Sequence, residues 1–170
     1  PLFAVSAETN VGVTRLMDFI AKYGSSPMDR AEVPARDASG VTGSVPLSQP
    51  EPVVFIFKTM NEPGVGELSL FRVFSGTVRT GDELINTSHD DVTERLGQLY
   101  VLNGHDRTPV PQLHAGDLGA VVKLRATHTG DTLCSQKFPV TLPKVDYPKP
   151  NIHAALKLRS KGDEDKLAVG

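Results

Sequence analysis

The chain has 170 residues, enough for one or two domains with a sizeable core. Its 18 Lys and Arg against 20 Asp and Glu give a formal net charge of −2, which argues against a broad basic nucleic-acid footprint and confines any RNA contact to a local patch. The single cysteine, Cys134, excludes an internal disulfide and fits a reducing cytoplasm, and no apolar run approaches the roughly 18 residues of a membrane span.

Residues 1–7, PLFAVSA, read as the end of a buried strand, with Leu2, Phe3, Ala4 and Val5 in a row and two small residues after them. Val13, Leu16, Met17 and Ile20 then fall at i, i+3, i+4 and i+7, one face of an amphipathic helix. Thr9 or Asn10 is placed to cap its start and Gly24 to end it. Such a short helix is marginal alone and calls for a sheet to dock on. Strand followed by helix is α/β grammar. Residues 25–50 have the composition of a linker, with recurring Pro and Gly, Ser and Thr between them, and no apolar period. An exposed, mobile connection is expected over 28–50.

The densest apolar and β-branched run lies between Glu51 and Ser88. Val53 to Phe57 is continuously apolar, Asn61-Glu62-Pro63-Gly64 is a turn signal, and Glu67 to Ser75 reads as a second strand. On that strand Leu68, Leu70 and Phe74 share one face, and Phe71 and Val73 the other. Apolar residues on both faces fit a closed or covered sheet. Phe57 and Phe74 are expected in the core. Asp82 to Asn86 and Thr93 to Val101 read as further strands, 103–112 as a loop, and Leu118 to Leu124 and the segment opened by His128 to Leu133 as strands again. Short strands with turn signals about every ten residues indicate a sandwich or barrel. Pro143 to Pro150 is an extended connector, Ile152 to Leu158 alternates like a strand, and Ser160 to Leu167 reads as a helix start. With Pro1 first and patterns cut at both ends, the chain reads as a fragment of a longer protein.

Few residues promise chemistry. Gly76 to Gly81 has the glycine spacing of a phosphate-binding loop, but Asp82 and Glu83 stand where Lys and Ser or Thr belong, and carboxylates repel phosphate. Gly64-Val65-Gly66 lacks the rest of a dinucleotide fingerprint. The five histidines, His89, His105, His114, His128 and His153, have no metal-cage spacing, and one Cys makes a structural zinc site a poor fit. No nucleophile elbow is present. Ser6-Ala7 can be read in two ways: as small residues closing a strand, or as a turn presenting its amides to a ligand.

Phe71-Arg72-Val73-Phe74-Ser75-Gly76-Thr77-Val78, followed by Gly81-Asp82, resembles the second-domain signature of the bacterial elongation factor G family of translational GTPases. Glu94-Arg95-Leu96-Gly97, Ala115-Gly116-Asp117-Leu118 and Thr129-Gly130-Asp131-Thr132-Leu133 match the same family in order and spacing. Val5-Ser6-Ala7 is similar to the last guanine-recognition motif of the preceding GTPase domain, and Ser160 to Leu167 to the opening of the third domain. Departures at Asn103, His128, Leu158 and Gly162 fit a diverged paralogue.

The resemblance implies a mainly β fold: a closed six-stranded antiparallel Greek-key barrel of the translation-protein type, with an N-terminal strand-helix remnant of an α/β GTPase domain. The implied map is 1–27 the end of the GTPase domain, 28–50 linker, 51–145 barrel, and 146–170 connector and start of the third domain. It implies an elongation factor of protein biosynthesis in the cytoplasm, docking on small-subunit ribosomal RNA through the barrel, packing on its own GTPase and third domains, and promoting translocation. No membrane partner is expected. The alternatives are a ribosome-protection or remodelling GTPase and a GTP-independent RNA-binding barrel. The fragment itself is not expected to be an enzyme or to hold a cofactor or metal. GTP and magnesium belong to the full-length parent, in which Ser6 and Ala7 would contact the guanine.

Overall fold

The computed structural model describes residues 1–62, 64, 66–149, 151, 152 and 155. The expected strand at 152–158 and helix start at 160–167 therefore lie almost wholly outside the described residues. The chain divides into two compact units, Pro1–Ala31 and a second that begins at Glu32. Among the described residues no helix is long and apolar enough to cross a membrane.

In the first unit the predicted helix is present as α1 (Val13–Tyr23). Neither Thr9 nor Asn10 caps it. Gly12 does so without a side-chain bond, at φ 74°, because Asn10 is itself left-handed and already within a turn. Gly24 ends the helix by donating its N–H to Ile20 O at 2.7 Å. A Cβ there would lie 2.4 Å from that oxygen. The expected buried strand at 1–7 is absent: Leu2 is 99% exposed, and only Ser6 pairs, in a single bridge with Val11. Phe3, Phe19 and Tyr23 instead stack in series, with centroids 4.9 and 4.8 Å apart.

The second unit is built of β1 (Glu32–Asp37), β2 (Thr42–Pro46), β3 (Val53–Glu62), β4 (Gly66–Ser75), β5 (Thr77–Arg79), β6 (Glu83–Asn86) and β7 (Val92–Arg95). It continues with β8 (Leu99–Asn103), β9 (Asp106–Val110), β10 (Gln112–His114), β11 (Leu118–Val122), β12 (Thr132–Cys134) and β13 (Val140–Thr141). Eight strands form one antiparallel ladder in the order β7-β6-β12-β3-β4-β11-β8-β9. β5 and β10 form a separate ribbon, and β13-β1-β2 a third sheet.

The fold is mainly β, as expected, but the closed six-stranded barrel is not formed: β7 and β9 are the open edges of the long ladder. Gly76, at φ 65°, presses against the backbone of Pro50 to Pro52 and turns the chain out of β4 into the separate β5. Gly81 N–H to Leu96 O and Leu96 N–H to Asp82 O extend the β6–β7 pairing, and Thr80 N–H to Pro111 O extends the β5–β10 ribbon, so neither joins the two edges. The ladder nevertheless surrounds one core, in which Val54, Ile56, Phe71, Val73, Leu84 and Leu99 meet.

A second core lies on the opposite face of β3, β6 and β12. Val53, Phe55, Ile85 and Cys134 pack there against Ala35, Val45, Val140 and Leu142. This corrects the linker reading of 28–50, because β1 and β2 form a hairpin that pairs with β13 and covers the sheet. Its turn is held by Asp37, whose Oδ1 accepts from Ser39 N–H, Ser39 Oγ and Val41 N–H. The Ser39 hydroxyl and then the Val41 amide hold the Asp37 carboxyl below its ordinary range. Residues 103–112, expected as a loop, are also mostly strand, since β9 folds back on β8 around Gly104.

Phe57 and Phe74 are not in the main core. A register shift between Ile56 and Lys58 turns Phe57 outward, leaving it 37% exposed, and Phe74 packs at the edge of the second core. Phe71, fully buried, is the ring the main core is built around. Phe71→Ala should therefore cost about 3–5 kcal/mol in urea unfolding and Phe57→Ala less than about 1 kcal/mol; equal losses would contradict this placement. Burial pushes the Cys134 thiol up, so at neutral pH it stays protonated in the folded chain. Iodoacetamide should label it only on unfolding, and native labelling at the unfolded rate would show that the second core is not closed.

Candidate functional site

Three tetrapeptides of the second unit share one chemistry. In Arg79-Thr80-Gly81-Asp82, His114-Ala115-Gly116-Asp117 and His128-Thr129-Gly130-Asp131 the third residue is a glycine at φ 93°, 97° and 93°. In each, the Asp N–H bonds back to the first residue's carbonyl, at 3.1, 2.9 and 3.2 Å. The Asp Oδ2 accepts the first residue's N–H at 2.8 Å in all three. Glycine is needed because the third position of this turn has positive φ, and the Asp satisfies an amide the turn would otherwise leave bare. The Gly76 to Gly81 spacing thus belongs to a strand and its turn. An open cleft of about 340 Å³ beside it is lined by Glu51, Asp82 and Glu83 as well as Arg79, a poor cradle for phosphate.

The third turn continues into a buried polar network. Glu94 on β7 is 2% exposed, and its carboxylate accepts from Arg125 N–H, Ala126 N–H at 2.7 Å and Thr127 Oγ1 at 2.8 Å. Asn86 on β6, fully buried, directs its Nδ2 at Ala126 O, Thr127 Oγ1 and Asp131 Oδ2. His89 Nε2 lies 3.2 Å from Asp131 Oδ2, and its ring meets that of His128 edge-on. These residues fasten the irregular 123–131 segment to two strands by charge-assisted bonds in a dry setting.

The histidines are otherwise dispersed. His114 sits between Thr77 Oγ1 and Gln112 Nε2, each at 3.1 Å, and His153 lies outside the described residues. Among the described residues no three His, Cys, Asp or Glu side chains are gathered as metal ligands. Ser6 and Ala7 belong to the first unit, in the loop closed by Ser6 and Val11, whose amides and carbonyls bond to each other at 3.0 Å. Ser6 Oγ accepts from Thr9 N–H and Thr9 Oγ1, and the Ala7 carbonyl from Asn10 N–H. Ala7 is exposed and Ser6 half-buried.

Residues 51–136, which hold all three turns and the network, match the family of elongation factor G domain 2. The chain belongs to that family. A crystal structure from Thermus thermophilus, of the protein ttk003000868, is similar over 96% of this chain, with a TM-score of 0.72 and 27% sequence identity. The chain spans 22% of the length of that protein. Much of the signature by which the elongation factor G resemblance is read therefore has a local physical role here: Gly76 for close approach, Gly81-Asp82, Gly116-Asp117 and Gly130-Asp131 for turns, and Glu94 for the network. The network itself had only a weak sequence signal, a lone Glu on a short strand.

Glu94→Ala would strand two amides and a hydroxyl in the interior, and a loss of about 3–5 kcal/mol is expected in urea unfolding. Glu94→Gln, which keeps one accepting oxygen, should cost less. A loss below about 1 kcal/mol for the alanine variant would mean that water or other groups replace the carboxylate.

Proposed function

We propose that this chain is the second-domain module of an elongation factor G-like translational GTPase, with residues 1–27 the end of its GTPase domain and 146–170 the connector and start of its third domain. In this reading the β-domain docks on small-subunit ribosomal RNA in the cytoplasm and couples GTP hydrolysis to translocation. The observation that carries it is the match over residues 51–136 to elongation factor G domain 2. The likeness over 96% of the chain to a protein several times longer supports the view that the module acts within a larger factor.

The module is a scaffold and coupler rather than an enzyme. GTP and magnesium are bound by the full-length parent, where the exposed loop at Ser6 and Ala7 offers backbone contacts to the guanine. One or two such bonds contribute about 0.5–1.5 kcal/mol each, short of the roughly 4 kcal/mol of millimolar affinity. Calorimetry of this chain with GTP and magnesium should show no binding at micromolar concentrations, and a micromolar dissociation constant would overturn the assignment. In the full-length parent, ribosomes should accelerate GTP hydrolysis, and peptidyl-tRNA should become puromycin-reactive in step with it. Hydrolysis without tRNA movement would favour a protection or remodelling factor, and ribosome binding indifferent to GTP an RNA-binding protein.

A further inference from the structure

The carboxylate of Asp131 is 1% exposed, and its two oxygens are treated very differently. Oδ2 receives His128 N–H, Asn86 Nδ2 and His89 Nε2. Oδ1 is buried without a hydrogen-bond partner among the described residues. A buried carboxylate oxygen in that condition is costly unless a cation stands near it. The ammonium of Lys144 stands 3.8 Å from it.

Lys144 reaches that place by lying across the turn. A Cβ on Gly130 would come 3.8 Å from Lys144 Cδ and 3.9 Å from Cγ, so the aliphatic stem rests over a glycine that leaves room for it. Lys144 also follows the last firm attachment of the chain. Leu142 is buried in the second core and donates its N–H to Thr132 Oγ1 at 3.0 Å, whereas residues 145–149 are all exposed.

We propose that Lys144 is an electrostatic latch that fixes where the chain leaves the β-domain, by holding its ammonium against the buried Oδ1 of Asp131. His89 ties the 86–91 turn to one oxygen of this carboxylate and Lys144 ties the exit connector to the other. Removing the Lys144 charge frees the connector while leaving the ladder and both cores in place. The latch rests on this geometry alone; its use in orienting a following domain rests on the proposed function.

The test is amide exchange and ¹⁵N relaxation on the whole 170-residue chain, comparing wild type with Lys144→Met and Lys144→Arg. In Lys144→Met the Leu142 amide should exchange about five- to tenfold faster and the amides of 144–147 should lose order, with a small fall in the urea midpoint because Oδ1 loses its cation. Lys144→Arg should restore the wild-type pattern. Salt at about 1 M should loosen the wild-type connector and leave Lys144→Met as it is. Leu142 exchange within about twofold of wild type in Lys144→Met, or no rescue by arginine, would overturn the latch. So would exchange accelerated throughout the ladder by the same factor as at Leu142, since Lys144 would then support the whole domain. None of these readouts involves GTP or ribosomes, so failure of the latch and failure of the functional assignment are separable.

Discussion

Val53, Val54, Phe55 and Ile56 are four consecutive buried residues in one strand. Successive side chains of a strand point to opposite faces, so a run of this kind can be satisfied only by apolar material on both sides of the sheet. Val54 and Ile56 are met by the main core, around Phe71, Leu99 and Leu133. Val53 and Phe55 are met by the second core, under the β1–β2 hairpin and β13. The rest of the second unit follows from that double requirement. The ladder curves around one set of side chains, and a small separate sheet lies over the other.

How the chain turns at each strand end is the second determinant, and it is solved repeatedly with the same residues. Glycine at positive φ followed by an aspartate that takes the amide three residues back appears at 81–82, 116–117 and 130–131. In the first two cases the aspartate is an ordinary turn partner near the surface. In the third it is buried, joins Asn86 and His89, and becomes part of the network that secures the 123–131 segment. One local motif thus serves a local purpose twice and a tertiary one once, and the difference lies in what surrounds it.

The sequence showed the helix at 13–23, the β3–β4 hairpin and the mainly β class because each rests on local periodicity or turn chemistry. It hid the β1–β2 hairpin because each strand buries a single fully covered residue, Ala35 or Val45, among Pro, Gly and Ser, so no apolar period marks it. The Asp37-Ala38-Ser39-Gly40 turn between Val33 and Val45 was the available signal. Phe57 was misplaced because a register shift breaks strict alternation, which the residues themselves do not announce. Closure of a barrel was implied by likeness, whereas β7 and β9 are the unpaired ends of the ladder. Ser6 and Ala7 were legible as small residues, but not whether they close a strand or form a turn; they lie in the loop closed by the Ser6–Val11 bridge. Glu94 and Asp131 were not legible as partners, since a buried carboxylate network depends on contacts 31 to 45 residues apart.

The unit that matches a family and the unit that folds do not coincide here. The match covers 51–136 and leaves out β1, β2 and β13. Those strands supply Ala35, Val45 and Val140, the opposite wall of the second core, with Leu142 just beyond β13. Cut back to the matched residues, the domain would expose Val53, Phe55 and Ile85, a loss of roughly 5–9 kcal/mol for the three together. That is comparable with the whole stability of an ordinary domain, about 5–15 kcal/mol. The residues that carry the family signature are therefore held in place partly by residues that carry none. The physical domain is bounded by the hairpin at its start and by Leu142 and Lys144 at its end, the same point at which the buried Asp131 meets its last partner.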